Sequence, residues 1–453
     1  MSKQASLENA SSTNSQKPEG VDKENSRFDP IRIERDEFGN IPQGWKYLSI
    51  NELSEYVKSG CSESQNKSQK GLPVTRIETI ANGTVNYDKV GFVPSDKIDT
   101  SKYLLEKGDL LFSNINSRKE IGKTAIYKGK NTLYHGMNLL RISFSDKMNN
   151  FFGYYLFDSD MGYKIFYRNS QAAVGQSSIN QGQLKSINLP VPPKQEQRRI
   201  ASVFYNVDQA IQKTEEIIEQ TKRVKKGLMQ DLFTEGYCNH EDFKDEGPLE
   251  KRPADWKIRS LNKVADIEMG SSPKSRYYNK EKNGLPFYQG NNEFGHRSPE
   301  TKVWCNNPVK TAQKDDILIS VRAPVGDLNI ATEKCCIGRG LAGITAKEID
   351  RDYLFYHLKE RENFLIRISA GSTYDSINSS QLKNLNLKIP NLGEQKKIAK
   401  TLDALDGDID VCRKRKSQLH LIKKGLMQDL LTGKVRTKDK DIEVLDEVLE
   451  VEK

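Results

Sequence analysis

Gly338, Gly340 and Gly343 form a GxGxxG string, the spacing that lets a backbone turn approach a dinucleotide pyrophosphate where a helix opens. The context denies that chemistry, because residues 341–345 continue as a β-like run, and turn glycines are expected instead. Gly122, Lys123 and Thr124 look like the end of a phosphate-cradling loop, but Ser117 stands where its leading glycine belongs. A surface turn is expected there. Asn307, Pro308, Val309 and Lys310 begin like an Asn-Pro-Pro-Tyr base-flipping loop, yet the aromatic that would stack the base is missing and no glycine-rich cofactor motif accompanies it. Five histidines include no HExxH pair, and no serine sits in a GxSxG elbow. Six cysteines (Cys61, Cys238, Cys305, Cys335, Cys336, Cys412) lack CxxC spacing and are expected to be reduced thiols, neither zinc ligands nor a disulfide framework. No coherent catalytic constellation emerges.

What the chain does contain is a duplication, and a long internal repeat dictates architecture before any single motif does. Residues 225–232 read KKGLMQDL and residues 423–430 read KKGLMQDL again, 198 positions later. The same offset carries Glu196, Gln197, Arg198, Arg199, Ile200 and Ala201 onto Glu394, Gln395, Lys396, Lys397, Ile398 and Ala399. Upstream, with gaps, Ile179, Asn180, Gln183, Leu184 and Lys185 match Ile377, Asn378, Gln381, Leu382 and Lys383, and Trp45 matches Trp256. The repeating unit is one globular segment followed by one helix.

In the first helix, covered positions recur at alternating three- and four-residue steps: Phe204, Val207, Ile211, Thr214, Ile218, Thr221, Lys225, Leu228, Leu232. The second repeats this with Leu402, Leu405, Ile409, Cys412, Lys416, Leu419, Lys423, Leu426 and Leu430. That is a coiled-coil seam. Each helix has one stripe and needs a partner, so an antiparallel pair across a pseudo-two-fold axis is expected. At 1.5 Å per residue, residues 194–234 would span roughly 60 Å, longer than a small domain is wide, which suits a spacer between bodies.

The fold expected is mixed α/β: two similar globular domains, at 29–190 and 253–390, separated by two long helices packed as an antiparallel coiled coil. The helices are placed at 191–235 and 391–436, with a linker at 236–252, a disordered tail at 1–28 and a charged tail at 437–453. Short β-like runs at 110–112, 139–142 and 317–319 and helical patches at 151–157 and 353–358 support that class. The first 28 residues hold hardly an apolar side chain, too few to offset the entropy of ordering them. Lys and Arg total 71 against 62 Asp and Glu, and the net charge of +9 permits a polyanionic partner without demanding one. No stretch approaches the roughly 18 apolar residues of a membrane span, so a cytoplasmic protein is expected.

A hydrophobic-Pro step, a Glu-Gln-basic-basic-Ile-Ala helix start and then KKGLMQDL, all occurring twice, resembles the specificity subunits of type I restriction-modification enzymes. The resemblance covers about residues 41–436 and leaves the tail before Phe28 and the end after Lys440 without a role. It implies a non-catalytic chain whose two target-recognition domains each read half of a bipartite site in double-stranded DNA. It further implies that the helices dock two adenine-methyltransferase subunits, and that restriction/translocase subunits complete the complex. S-adenosylmethionine would then sit on the methyltransferase, and ATP and Mg on the nuclease/translocase, with no cofactor in this chain.

Under that resemblance, Lys and Arg would hold phosphates while Arg, Asn, Gln and Ser reach base edges. The candidates are Arg76, Asn114, Asn116, Arg118, Lys119, Gln176 and Ser177 in the first half. In the second they are Lys274, Arg276, Tyr277, Gln289, Asn291, Arg322, Ser372 and Tyr374. A solvated loop side chain is the plain alternative for each. Arg198, Arg199, Lys396 and Lys397 sit at helix starts, where the dipole disfavours cations. Keeping a basic pair there twice suggests partner docking or a DNA contact, with a plain solvated surface as the equal alternative. Two rival functions remain open: a self-sufficient nuclease or methyltransferase with its carboxylates dispersed, and a DNA-binding scaffold with no methylase partner.

Overall fold

The computed structural model describes residues 41–81, 83–173, 175–245, 251–369 and 376–449. The segment expected to be disordered, 1–28, lies outside them. The chain divides into two compact units, Met1–Gln209 with Leu419–Lys453, and Ala210–Gln418.

In the first unit a four-stranded antiparallel sheet runs in the order Ser54–Ser59, Leu140–Phe144, Leu110–Phe112, Thr124–Ile126. Every residue of its last three strands is buried; Leu110–Phe112 is a continuous apolar run, whereas Leu140–Phe144 alternates and its buried Arg141 pairs with Asp109 at 2.7 Å. The helix Asn150–Phe157, buried along its whole length, and the helix Asp160–Asn169 belong to the same core as this sheet. Phe112 meets Phe157 and Phe166 edge-on at 6.0 and 4.8 Å. A separate two-stranded ladder joins Lys46–Ser49 to Asn188–Val191, with Asn188 opposite Ser49.

The second unit repeats this order: Ala265–Met269, Leu341–Ala346, Ile317–Ser320, Leu328–Ile330. Its two-stranded ladder joins Lys257–Ser260 to Asn386–Ile389, with Asn386 opposite Ser260. The expected sharing of one fold by the two halves therefore holds down to strand register. They differ in their insertions, a two-stranded Leu72–Val74/Gly91–Val93 sheet in the first unit and a five-stranded sheet in the second.

The repeated Asn-x-x-Gln is a reciprocal capping box in both copies. Gln183 N donates to Asn180 Oδ1 at 2.8 Å and Gln381 N to Asn378 Oδ1 at 2.9 Å, while each glutamine side chain accepts from the cap backbone. The repeated Glu-Gln that opens each long helix is structural too. Glu196 Oε2 accepts from the Trp45 indole at 3.2 Å, and Glu394 Oε2 from the Trp256 indole at the same distance. Gln197 and Gln395 each accept, at 2.8 Å, the backbone N–H of a residue that caps a core helix, Asn149 and Asp350.

The long helices span Lys194–Thr234 and Leu392–Leu430. All the seam positions expected from the sequence are buried or half-buried, while Ile217, Val224, Val411, Leu421 and Ile422 off the seam are exposed. Each helix contributes to both units. Leu232 and Phe233, at the end of the first, are buried in the core of the second unit, and Leu430 and Leu431 in the core of the first. Burying such a side chain contributes about 1.5–3 kcal/mol.

Two expectations need correction. The stretch read as a linker contains a strand, Phe243–Asp245, paired with Lys251–Pro253. The C-terminal stretch left without a role closes the first unit: Val448 is buried in its core with Leu445 against it, and the Val448 carbonyl accepts from Asn149 Nδ2 at 3.2 Å. Its charged composition hid two apolar side chains spaced to face one groove.

Candidate nucleic-acid interface

The glycines of the GxGxxG string let backbones come together. A Cβ on Gly338 would lie 2.8 Å from Gln289 Cα, and one on Gly340 2.5 Å from the Gln289 carbonyl oxygen. Leu341–Ala346 follows as a strand, so no helix opens on a phosphate. The close approach recurs in the first unit, where a Cβ on Gly60 would collide with Gly136 O, as one on Gly270 would with Gly338 O. Gly122 takes φ +80° in a turn, and a Cβ there would meet Phe166, so Gly122-Lys123 leads from that turn into the strand Thr124–Ile126 and is no phosphate cradle. Lys123 is spent on Glu120 and on the Ala81 carbonyl.

In the first unit a small sheet, Ile115–Asn116, Gln176–Ser178 and Gln171–Ala173, brings four of the expected residues together. Asn116 stands opposite Ser177, and the Asn114 carbonyl accepts from Ile179 N at 2.9 Å, so the 114–119 loop runs alongside the central Gln176 strand. Gln176 is exposed there, whereas Ser177 is buried and its hydroxyl faces inward. Arg118 is exposed and lies 4.5 Å over the ring of Tyr167, which fixes its guanidinium plane. Lys119 is exposed beside it. Arg76 stands at the start of a different turn, Ile77–Ile80, and pairs with Glu78 at 3.2 Å.

The second unit builds the same arrangement more sparsely. Arg322 bridges Ser376 as Ile115 pairs with Ser178 in the first. Val321 N donates to Gly340 O, and Gly340 N to Gln289 O, which brings the exposed Gln289 and Arg322 into one neighbourhood. Asn291 donates to Asp327 at 2.6 Å. Lys274, Arg276 and Tyr277 form a separate turn in which Arg276 lies 4.9 Å over the Tyr277 ring. Ser372 and Tyr374 lie outside the described residues. Arg339, not among the residues expected from the sequence, is exposed between the two close-packed glycines with its N–H on Ser272 Oγ at 3.2 Å.

The helix-start cations divide. Arg199 donates to the carbonyls of Thr437 and Lys438 at 3.3 and 3.0 Å, and Lys397 lies 5.5 Å over the Tyr237 ring, so the second member of each pair ties down a returning segment. Lys396 is exposed and Arg198 half-buried. Among the described residues no group of His, Cys, Asp or Glu is arranged to hold a metal, and no helix is long and apolar enough to cross a membrane.

A duplicated α/β scaffold with equivalent polar patches on both copies defines a protein that presents two like surfaces. The model of the type I restriction modification DNA specificity domain matches the chain twice, at residues 42–223 and 253–421, and the chain belongs to that family. It is a specificity subunit and not the catalyst of its system. A Methanocaldococcus jannaschii chain described as the type I restriction enzyme MjaX specificity subunit is 42% identical over 413 residues, covering 90% of this chain and 97% of the relative. The MjaVIII specificity subunit of the same organism is 26% identical over 427 residues, 88% of this chain and 95% of that one. Among solved structures, the S subunit of a type I restriction-modification system from M. genitalium superposes with a TM-score of 0.56 at 16% identity. That match covers 88% of this chain and 98% of the other, a likeness of fold.

Proposed function

We propose that this chain reads a bipartite target in double-stranded DNA, one half per globular domain (29–190 and 253–390), and docks two adenine-methyltransferase subunits and the restriction/translocase subunits. The observation that carries this is the double match to a DNA specificity model on two units of identical strand order. S-adenosylmethionine belongs on the methyltransferase, ATP and Mg on the translocase, and the assembly works in the cytoplasm. The two long helices pair as an antiparallel coiled coil. The seam burial supports that arrangement.

In the first domain, Asn114, Asn116, Arg118, Lys119 and Gln176 face the DNA. In the second, Gln289, Asn291, Arg322 and Arg339 do, with Lys274, Arg276 and Tyr277 on a flanking turn. Arg198 and Lys396 are the members of the helix-start pairs that meet a partner. Mapping methylated adenines in a host carrying this chain and its methyltransferase tests the reading. Replacing 41–189 with the matching domain of a relative should change one half of the target. Alteration of both halves, or cleavage or methyl transfer by the purified chain alone, would overturn it.

A further inference from the structure

We propose that the second unit holds a binding site for a small polyphosphate anion, in the cavity that its two long-helix segments share with the helices Arg351–Glu360 and Glu362–Ser369. The cavity measures about 720 Å³, within the roughly 300–1,000 Å³ usual for small-molecule sites. Eight Lys or Arg side chains line it against three Asp or Glu. Cations gathered around one concavity repel one another until an anion enters.

Five of the eight are engaged within the chain: Lys222 with Glu219, Arg413 with Asp410, Arg361 over the Phe364 ring, and two that bond across elements. Lys225 is matched to Asp406, and Arg297 is held by Asp352, Asp403 and the Tyr356 hydroxyl, so these build the wall. Lys226, Lys359 and Arg367, from three different elements, make no ion pair among the described residues and yet line the same cavity. Their charge is what the chain itself leaves unanswered.

Comparison with the first unit shows that the shared scaffold does not require this charge. Tyr356 bonds Asp406 as Tyr155 bonds Asp208, and three residues after each tyrosine stand Lys359 and Asp158. On the repeat offset, Arg413 of the second helix corresponds to Glu215 of the first. Two positions thus reverse sign between the copies. A contact to the DNA backbone common to both halves would place cations in both. A charge concentrated around one open concavity suits instead a compact ligand bearing three or four negative charges, either free triphosphate or the tail of a nucleoside triphosphate. Met229, Ile409 and Phe364 supply apolar wall beside the cations.

Titration calorimetry of the full chain with sodium triphosphate, and separately with adenosine and guanosine triphosphates, in buffer containing a chelator, tests this. One saturable site per chain is expected, with thermal unfolding moved upward by triphosphate. The triple variant K226Q/K359Q/R367Q should lose affinity by roughly tenfold per cation removed. Lys424→Gln, the counterpart of Lys226 in the first unit, should change nothing. Tighter binding of a nucleoside triphosphate than of triphosphate assigns the apolar wall to the base, and equal binding assigns the site to the phosphates alone. No binding of either at millimolar concentration overturns the proposal, as does binding that the triple variant retains or that Lys424→Gln weakens equally. Loss of duplex-DNA affinity in the triple variant, with triphosphate acting only as a competitor of DNA, would also overturn it.

Discussion

Lys225 donates to Asp406 at 2.5 Å, and the same bond recurs at the same length between Lys423 and Asp208, each lysine and each aspartate 198 positions from its counterpart. A basic residue in an otherwise covered helix stripe is thereby explained, since each lysine meets a carboxylate from the other long helix within its own unit. Burial pulls the Lys225 ammonium below its ordinary pKa even with Asp406 beside it. Asp406, which burial alone would raise, is held below the usual carboxylate range by Lys225 and Tyr356.

The two pairs should not be equally costly to break. Lys225 and Asp406 are 11% and 13% exposed, Lys423 and Asp208 17% and 32%. Lys225→Ala strands a more deeply buried carboxylate and is expected to cost about 2 kcal/mol, against about 1 kcal/mol for Lys423→Ala. Urea unfolding of the two variants measures the difference, and equal losses would show that burial is not what ranks them.

Each unit buries one neutral histidine. Burial, first of all, pushes His135 down to about 4 and His357 to about 3 from 6.5. His357 Nε2 accepts the Lys388 N–H at 2.9 Å. Because the folded pKa lies below the unfolded one, the unfolded chain takes up the proton first as pH falls. Stability is therefore complete above about pH 6.5 and declines below it, by up to ~1.4 kcal/mol per pH unit per histidine, until the folded pKa is reached. His357→Gln, which keeps an acceptor for Lys388, should remove one histidine's share of that slope in unfolding measured from pH 7.5 to 4.5.

The C-terminal segment should behave as part of the first unit. A chain ending at Arg436 loses buried Val448 and its neighbour Leu445, and loses the Thr437 N–H that Glu196 accepts at 3.2 Å. The loss expected is about 3 kcal/mol. Hydrogen exchange should quicken in the first unit, at 149–157 and 196–204, and stay unchanged at 351–358 and 394–402. Uniform quickening in both would contradict the assignment.

On the proposed DNA face, Arg118→Gln with Lys119→Gln should weaken specific and non-specific binding alike. The slope of log K against log salt should become shallower by about one for each phosphate that the variant no longer neutralises. Gln176→Ala should instead relax one position of the target and leave the slope alone. An unchanged slope in the double variant would remove the 114–119 loop from the interface.

Repetition made the architecture readable before any coordinates. Two copies of one sequence pattern demand two copies of one fold, and the stripe from Phe204 to Leu232 marks a helix whose length local periodicity alone can state. The absence of a coherent catalytic motif was legible for the same reason, since such motifs are local strings. Tertiary structure decided what local strings cannot. Glu196 and Glu394 looked like the first letters of helices and are acceptors for Trp45 and Trp256, 151 and 138 residues away. Arg199 and Lys397 looked free for a partner, and each reaches a returning segment whose position no spacing announces. Ser177 looked like an exposed loop hydroxyl until strand pairing with Asn116 settled which of two alternating faces it occupies. Val448 lay in a stretch too charged to suggest burial. A side chain's neighbours across such separations depend on how the whole chain closes its cores, and composition within a few residues of it carries no record of that.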